Sequence, residues 1–544
     1  MNESVLVLGS GPIRIGQGIE FDYSCVHCVW ALEAMGYRAI ILNNNPETVS
    51  TDFDTGSALY FEPVNLESVQ RICEKEKPVG VVCQFGGQTA INLAEPLTKA
   101  GIRVLGTPAE AIAASEDRAQ FDDLLEKLEI ARPRGRAVRS LAEAREATAA
   151  IGYPVLVRPS FVLGGRAMEI VFDADQLESF YRAAEDANPG QPVLIDQYLF
   201  GKEAEIDVIC DGERAFVPGI MEHVERAGIH SGDSMAVYPP VSLDIDLQAR
   251  MVSVASRIAL ALGVRGLMNI QFVVQGEELF VLEVNPRASR TVPYLSKVTG
   301  VPMISLATKV MMGESLESLG IESGLFVPHR EPGRDYRETI VPAETLAGME
   351  PWRPHLYAVK APVFSFQKLA LVEPSLGPEM KSTGEVLGID PTYPGALYKA
   401  LVGSHIVFKG AGYVVLSLSD EDKAEGLRLA QEFAARGYQI AATKGTHELL
   451  ASHGLESLCL QKIQEGSPSI LDLIMGGQVR IMINTPDRTR QSSEEGKRIR
   501  RACIEAGVAC ITSIDTALAM ILTLDFFEGK AQPSCLPYPD YLLG

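Results

Sequence analysis

The sequence lacks most of what marks a secreted, membrane-bound or disordered chain. It holds nine cysteines in 544 residues, an odd number spread thinly, which suits a reducing compartment better than a disulfide framework. The start, MNESVLVLGS, has no basic flank, long apolar run or cleavage site of the kind that directs secretion. No stretch approaches the ~18–20 uninterrupted apolar residues of a membrane span. The best candidate, around Met251–Leu262, is broken by Arg257. Low-complexity tracts are absent and an apolar fraction of 46% is ordinary, so disorder is excluded. Bases are scarce beside acids, 49 against 70, for a net charge of −21. That charge excludes general binding to nucleic acid or anionic membranes. Any phosphate must be held locally, by a few Arg or Lys side chains or by backbone N–H groups. A cytoplasmic protein of about three or four domains is expected, at ~100–200 residues per domain.

The chain is organised in blocks. Over 1–115, strands at Val5–Leu8, Ala39–Leu42, Val79–Gln84 and Val104–Leu105 alternate with helices at Cys25–Met35 and Leu66–Glu76, the rhythm of a doubly wound parallel sheet. Residues 116–320 mix a helix, Arg118–Leu128, with strands at Val155–Arg158 and Val193–Ile195 and a hairpin over Ile270–Asn285, an α+β pattern with antiparallel pairs. From 321 to 365, Pro328, Pro332, Pro342, Pro351, Pro354 and Pro362 punctuate the chain, and the segment 321–408 reads as an irregular connection wrapping the core. Over 409–544 the α/β rhythm resumes: strands Tyr413–Leu418, Tyr438–Ala442 and Val479–Asn484, helices Asp420–Arg436 and Glu494–Ala506 and one from Thr446, then a Pro-rich tail after Phe527.

Two short motifs invite over-reading. Cys25 and Cys28 form a C-x-x-C around His27, but no second pair sits nearby at zinc spacing, and packing is the favoured role. Val5–Leu8 followed by Gly9-Ser10-Gly11-Pro12-Ile13-Arg14-Ile15-Gly16 imitates a dinucleotide fingerprint. Arg14 breaks the glycine pattern, and Asn43-Asn44-Asn45 stands where a ribose-binding acid belongs, so a structural turn or small-anion site is expected.

The chemistry concentrates elsewhere. In Val281-Leu282-Glu283-Val284-Asn285-Pro286-Arg287, Glu283 and Asn285 share one face of a strand, and an odd hairpin loop would add Gln271 to that face. Three oxygen donors, one charged, suit a hard Mg²⁺ or Mn²⁺ ion bridging ATP phosphates. Upstream, Arg158 leads into Phe161-Val162-Leu163-Gly164-Gly165-Arg166, a cation followed by a flexible loop able to cover a triphosphate with backbone N–H groups. Val193–Leu199 offers an apolar strand whose exit could hold a purine, and Glu203 an acceptor for ribose hydroxyls. Gly228-Ile229-His230-Ser231-Gly232-Asp233-Ser234 is a polar loop suited to approach a reactive centre.

In this order the pieces resemble the ATP-grasp superfamily. Gly16-Gln17-Gly18-Ile19-Glu20-Phe21-Asp22-Tyr23, Asn45-Pro46-Glu47-Thr48-Val49-Ser50-Thr51-Asp52, Gly86-Gly87-Gln88-Thr89 and Glu283–Arg287 look like the large-subunit family of carbamoyl-phosphate synthetases. Arg158–Glu169 and His230–Ser234 resemble its C-terminal, carbamate-phosphorylating half. The resemblance covers essentially Val5 to Leu524. It implies a Rossmann-like pre-ATP-grasp domain (1–115), an ATP-grasp domain (116–320), the wrapping segment (321–408) and a methylglyoxal-synthase-like regulatory domain (409–544). By resemblance, Arg158, Gln197, Leu199, Glu203, Gly228, Ile229, His230, Ser231, Gln271 and Glu283 contact ATP. Gln271, Glu283 and Asn285 ligate metal, with two Mg²⁺ or Mn²⁺ ions implied and K⁺ in the same set. Arg118, Arg287 and Arg290 neutralise the transferring phosphoryl group.

The resemblance also implies an effector site at Lys423, Thr443, Thr446, Lys462 and Asn484, around the Ala442-Thr443-Lys444-Gly445-Thr446 turn. Pro486 departs from the hydroxyl residue usual there, which leaves both the identity of the effector and the response to it open. Ornithine is implied near Glu225 and Asp233. The implied role lies in pyrimidine and arginine biosynthesis. No cysteine sits in a Gly-x-Cys-x-Gly elbow, and the bicarbonate-activating half is missing. A glutaminase small subunit and an N-terminal half are therefore expected as separate chains, and Met1 without a tag favours a naturally split subunit. The competing readings are a nucleotide-binding regulatory or assembly subunit without turnover, against which the complete Gln271, Glu283 and Asn285 set stands, and another ATP-grasp ligase such as a carboxylase.

Overall fold

A computed structural model describes residues 3–160, 163–328, 339–350, 352, 354–369, 372–408, 412–463, 465–486 and 494–543. Met1, Phe161, Val162, Pro332 and Pro351, named above, lie outside the described residues.

The first block forms a five-stranded parallel sheet from β1 (Ser4–Leu8), β2 (Arg38–Leu42), β3 (Ala58–Tyr60), β4 (Val81–Val82) and β5 (Val104–Leu105), in the order β3-β2-β1-β4-β5. Its central strand is buried along its whole length, as the uninterrupted Val-Leu-Val-Leu run requires of a strand covered on both faces. Cys25 and Cys28 lie on the helix Glu20–Ala34 and are fully buried against it. Burial pushes the Cys28 thiol up to about 12, so both cysteines are packing groups.

The second block builds two sheets. A four-stranded antiparallel sheet takes β6 (Gly135–Val138), β7 (Val155–Pro159), β8 (Glu169–Val171) and β9 (Val193–Gln197), in the order β6-β9-β7-β8. A ten-stranded sheet contains β10 (Lys202–Cys210), β11 (Ala215–Val217), β12 (Ile220–Arg226), β13 (Ala236–Tyr238), β14 (Gly266–Gln275), β15 (Glu278–Asn285), β16 (Gly324–Phe326), β17 (Ile340–Val341), β18 (Tyr357–Val363) and β19 (Gly384–Asp390). The apolar run near Met251 is one face of the helix Ile245–Leu262, capped by Asp244 and ended by Gly263 at positive φ. Arg257 leaves that face to donate to the Leu128 carbonyl.

The segment 321–408 is therefore more regular than its prolines suggest. It supplies β16 to β19, and β18 pairs with both β13 and β19. Proline breaks a ladder only where its missing N–H is needed; Pro362 sits within β18 as that strand's partner to Glu385. The last block is a second parallel sheet of β20 (Tyr413–Ser417), β21 (Ile440–Thr443), β22 (Leu458–Leu460), β23 (Val479–Asn484) and β24 (Cys510–Ile511), in the order β22-β21-β20-β23-β24. One apolar core joins Val237, Val359 and Leu397 to Val414, Leu416 and Leu429, so this domain is packed onto the ten-stranded sheet and not hung from a linker. Among the described residues no helix is long and apolar enough to cross a membrane.

Candidate active site

A cavity of about 700 Å³ opens where the first sheet, the four-stranded sheet and the ten-stranded sheet meet. All fourteen residues nominated for ATP, metal and phosphoryl neutralisation line it: Arg118, Arg158, Gln197, Leu199, Glu203, Gly228, Ile229, His230, Ser231, Gln271, Glu283, Asn285, Arg287 and Arg290. Arg14, Gly16, Gln88 and Thr89 of the first domain line it too. The glycine-rich turn after β1 is closed by paired hydrogen bonds between Arg14 and Gln17, and Gln17 Nε2 donates to Thr89 at 2.9 Å. It forms part of the wall of this cavity.

The oxygen donors meet through a bulge. The turn at Gly276-Glu277 has two residues and pairs Gln275 with Glu278. An even loop, continued in register, would set Gln271 opposite Leu282, on the wrong face. The register shifts between Gln271 and Phe272, and Gln271 comes to face Glu283 while Asn269 faces Asn285. The loop is even, and the bulge supplies the parity that an odd loop would have given. Asn285 Nδ2 donates to Glu283 at 2.9 Å, and Asn285 Oδ1 accepts from Arg287 at 3.3 Å. One carboxylate and two amide carbonyls fit a hard divalent ion that completes its shell with phosphate and water oxygens. Among the described residues there is no cluster of three His, Cys, Asp or Glu side chains that would offer an all-protein cage.

Leu199, Ala227 and Val273 form a small apolar cluster with Phe280 and Leu282 packed against it, a wall suited to an aromatic base. The loop that follows must come close to Tyr198, whose hydroxyl donates to the Ala227 carbonyl at 2.5 Å. Gly228 has φ +101°, and a Cβ there would lie 2.6 Å from the Tyr198 hydroxyl. Gly228→Ala should therefore strain the loop by about 1–3 kcal/mol and weaken ATP binding by about tenfold or more. Calorimetric titration with ATP checks this; unchanged affinity would remove the loop from the nucleotide site.

Cations and carboxylates are interleaved. Asp196 accepts from Arg158 at 2.9 Å and lies 3.0 Å from Arg118, which also bonds Asp122 at 3.0 Å. Arg290 lies 3.3 Å from Glu20 of the first domain. Lys360, on β18 and buried, donates to the Ser231 carbonyl at 3.2 Å. His223, on β12, sits 3.3 Å from both Glu203 and Glu205, all three buried. Burial alone would lower its pKa, but hydrogen bonds to the two carboxylates outweigh that and push it up to about 9. His223 is thus a buried imidazolium. His230 is the reverse: burial, reinforced by Arg290 and Lys360, pulls it down to about 3. It is neutral, and Nδ1 accepts from Gly232 N at 3.0 Å, which places the proton on Nε2. Behind these, burial raises Asp207 to about 7, held by Thr291 and Asn269.

Asp196, Glu205, His223 and Lys360 were not nominated from the sequence. The one available signal was a lone Lys in an otherwise apolar strand, Ala358-Val359-Lys360-Ala361.

In the last domain, Thr443 precedes the helix Lys444–Ser452, and buried Thr446 accepts from Leu418 N at 3.3 Å. Lys423 pairs with Asp420 and stands within 3.5 Å of where a side chain at Gly445 would begin. Buried Asn484 accepts from Arg500 at 2.6 Å. These four gather at the carboxyl ends of β20, β21 and β23. Lys462 is 70% exposed and pairs with Glu465. Glu225 accepts from Met235 N and Thr516, and Asp233 from Lys381 N and Ser382 N, so both carboxylates of the implied ornithine position are buried and served by the chain's own donors.

Residues 1–114 match the carbamoyl phosphate synthase pre-ATP-grasp domain, and 117–319 match the carbamoyl-phosphate synthase L chain ATP-binding domain. The chain carries a pre-ATP-grasp and an ATP-grasp domain. Residues 425–512 match the MGS-like domain, and the ATP-grasp core carries it as a C-terminal partner. Its fold is also that of biotin carboxylases. The biotin carboxylase domain of Hydrogenobacter thermophilus 2-oxoglutarate carboxylase, solved with MgADP and bicarbonate, aligns with TM-score 0.55 at 16% identity, covering 74% of this chain and 90% of that one. Campylobacter jejuni biotin carboxylase aligns with TM-score 0.51 at 17% identity, covering 67% and 76%.

Proposed function

We propose that this ATP-grasp protein phosphorylates carbamate, moving the terminal phosphoryl group of ATP to a carbamate oxygen and releasing carbamoyl phosphate and ADP. The observation that carries the reading is the convergence of Arg118, Arg158, Arg287, Arg290 and Lys360 on one cavity with the Gln271, Glu283 and Asn285 oxygens, in a chain whose first two blocks match successive carbamoyl-phosphate synthase domains. Phosphoryl transfer needs in-line placement and charge neutralisation more than covalent help. Leu199, Val273 and Leu282 seat the base, and Glu203 the ribose. Arg118 and Arg158, tethered by Asp196, stay aimed into the cavity until phosphate oxygens replace the carboxylate. Arg287 and Arg290 lie beside the oxygen donors, where charge accumulates on the moving group. Neutral His230 can donate from Nε2 without adding charge. Gln271, Glu283 and Asn285 would hold Mg²⁺, or Mn²⁺ in its place, which would supply further charge neutralisation; a second divalent ion and K⁺ belong to the same proposal.

Carbamate must reach this cavity from elsewhere. A glutaminase chain and a bicarbonate-phosphorylating half are proposed as separate partners, the assembly acting in the cytoplasm on the route to pyrimidines and arginine, with a nucleotide effector at the last domain. Ammonia and bicarbonate equilibrate chemically to carbamate, so the chain can be assayed alone. ADP release from MgATP is expected to need ammonia and bicarbonate together. Release driven by bicarbonate alone would favour a bicarbonate-activating ligase, and nucleotide binding without release a regulatory subunit.

A further inference from the structure

Between β18 and β19 the chain passes from the last domain to the ATP cavity and touches both. At one end, Glu373 accepts from Arg500 at 2.6 Å, and Leu376 N donates to Thr512 at 3.2 Å. Arg500 is 1% exposed and also holds Asn484, one of the nominated effector residues, at 2.6 Å. A few residues on, the same stretch meets both loops of the cavity. His230 N donates to the Gly377 carbonyl at 2.8 Å, and Met380 N to the Gly164 carbonyl at 2.9 Å. Lys381 N and Ser382 N donate to Asp233 at 2.8 and 2.9 Å. A Cβ on Gly165 would collide with the Pro378 carbonyl, so the strap and the Gly164-Gly165 loop are in closest contact there.

We propose that residues 373–382 form a strap that positions the His230 loop and the Gly164-Gly165 loop from the last domain, with Glu373 and Arg500 as positioning residues fastening its far end. The physical basis is that the strap is bonded at both ends and only ten residues long. Among the described residues, His230 N and the Gly164 carbonyl make their backbone bonds to the strap alone. Arg500 shares its guanidinium between Glu373 and Asn484, so a ligand that engages Asn484 alters the fastening of Glu373 directly. The last domain thereby acts on nucleotide binding without touching the nucleotide. The inference rests on the nucleotide reading of the cavity and not on carbamate as the acceptor.

Hydrogen exchange and ADP titration on the full chain test it, since neither depends on the acceptor. Glu373 lies on the surface of the strap, 25% exposed, so Glu373→Ala should fold. Exchange at the amides of His230 and Met380 is expected to accelerate about tenfold, the scale of one lost charge-assisted hydrogen bond. ADP should bind several-fold more weakly, while amides in β20 and β23 keep their protection. Glu373→Gln, which retains an acceptor, should recover part of both effects. Thr512→Val, isosteric and remote from the cavity, should loosen the same two amides and decides the matter if Glu373→Ala disturbs β20 or β23. Unchanged exchange at His230 and Met380 in folded Glu373→Ala and Thr512→Val, with unchanged ADP affinity, would overturn the strap.

Discussion

Glu283→Gln should cut phosphoryl transfer by about 10³-fold and leave the fold intact. Glu283 is the only charged member of the oxygen set and is exposed to the cavity, so the amide costs no burial. Its carbonyl can still accept from Asn285 Nδ2, which preserves the local hydrogen bond. What it loses is the charge that draws a divalent ion to Gln271 and Asn285. Neutralisation by such an ion is worth several kcal/mol in the transition state, and each 1.36 kcal/mol is about tenfold in rate. Single-turnover rates with MgATP check this, with circular dichroism as the control for folding. Retained activity would remove the metal from this hairpin.

His223→Asn, behind the cavity wall, should be strongly destabilising. Glu203 and Glu205 face the imidazolium from β10, and Asn269 and Lys360 supply the remaining donors near Glu205. Removing the cation leaves two buried carboxylates underpaired, a loss of about 3–5 kcal/mol in comparable sites. The same pair of histidines gives a pH signature. His223 is raised from 6.5 to about 9, so its contribution is complete below pH 6.5 and fades as pH climbs through 9. His230 is lowered from 6.5 to about 3, so the folded state resists a proton that the unfolded chain accepts, and stability falls as pH drops from 6.5 toward 3. Thermal stability should therefore peak near pH 6.5, and in His223→Asn the alkaline fall should flatten. An unchanged alkaline limb would mean that His223 is not charged in the native protein.

Much of this site was legible in the sequence because its residues cluster in short local motifs. Glu283 and Asn285 are two apart on one strand, and Gly228 to Ser234 is one loop. Their common face with Gln271 was legible only as a condition on loop parity, and the protein meets it by a bulge that no count of loop residues could show. Asp196, His223 and Lys360 were missed for a different reason. Each acts through a partner far away in sequence: Asp196 through Arg118, His223 through Glu205, Lys360 through Ser231. Single-sequence patterns carry no such pairings. The prolines of 321–365 misled in the other direction, since Pro342 follows β17 and Pro362 lies beyond the β18 residues that pair with β13, which leaves that ladder intact. In the last domain, Thr443, Thr446 and Asn484, named on the resemblance alone, lie at the ends of neighbouring strands, while Lys462 pairs outward with Glu465.

The forward assay leaves room for a different acceptor; the reverse reaction does not. The most direct measurement supplies ADP, Mg²⁺ and radiolabelled carbamoyl phosphate to the purified 544-residue chain, with no partner added, and follows label into the terminal phosphate of ATP. A carbamate-phosphorylating site predicts labelled ATP from the wild-type chain and almost none from Glu283→Gln. Folded wild-type protein that binds ADP yet forms no ATP above background would contradict it.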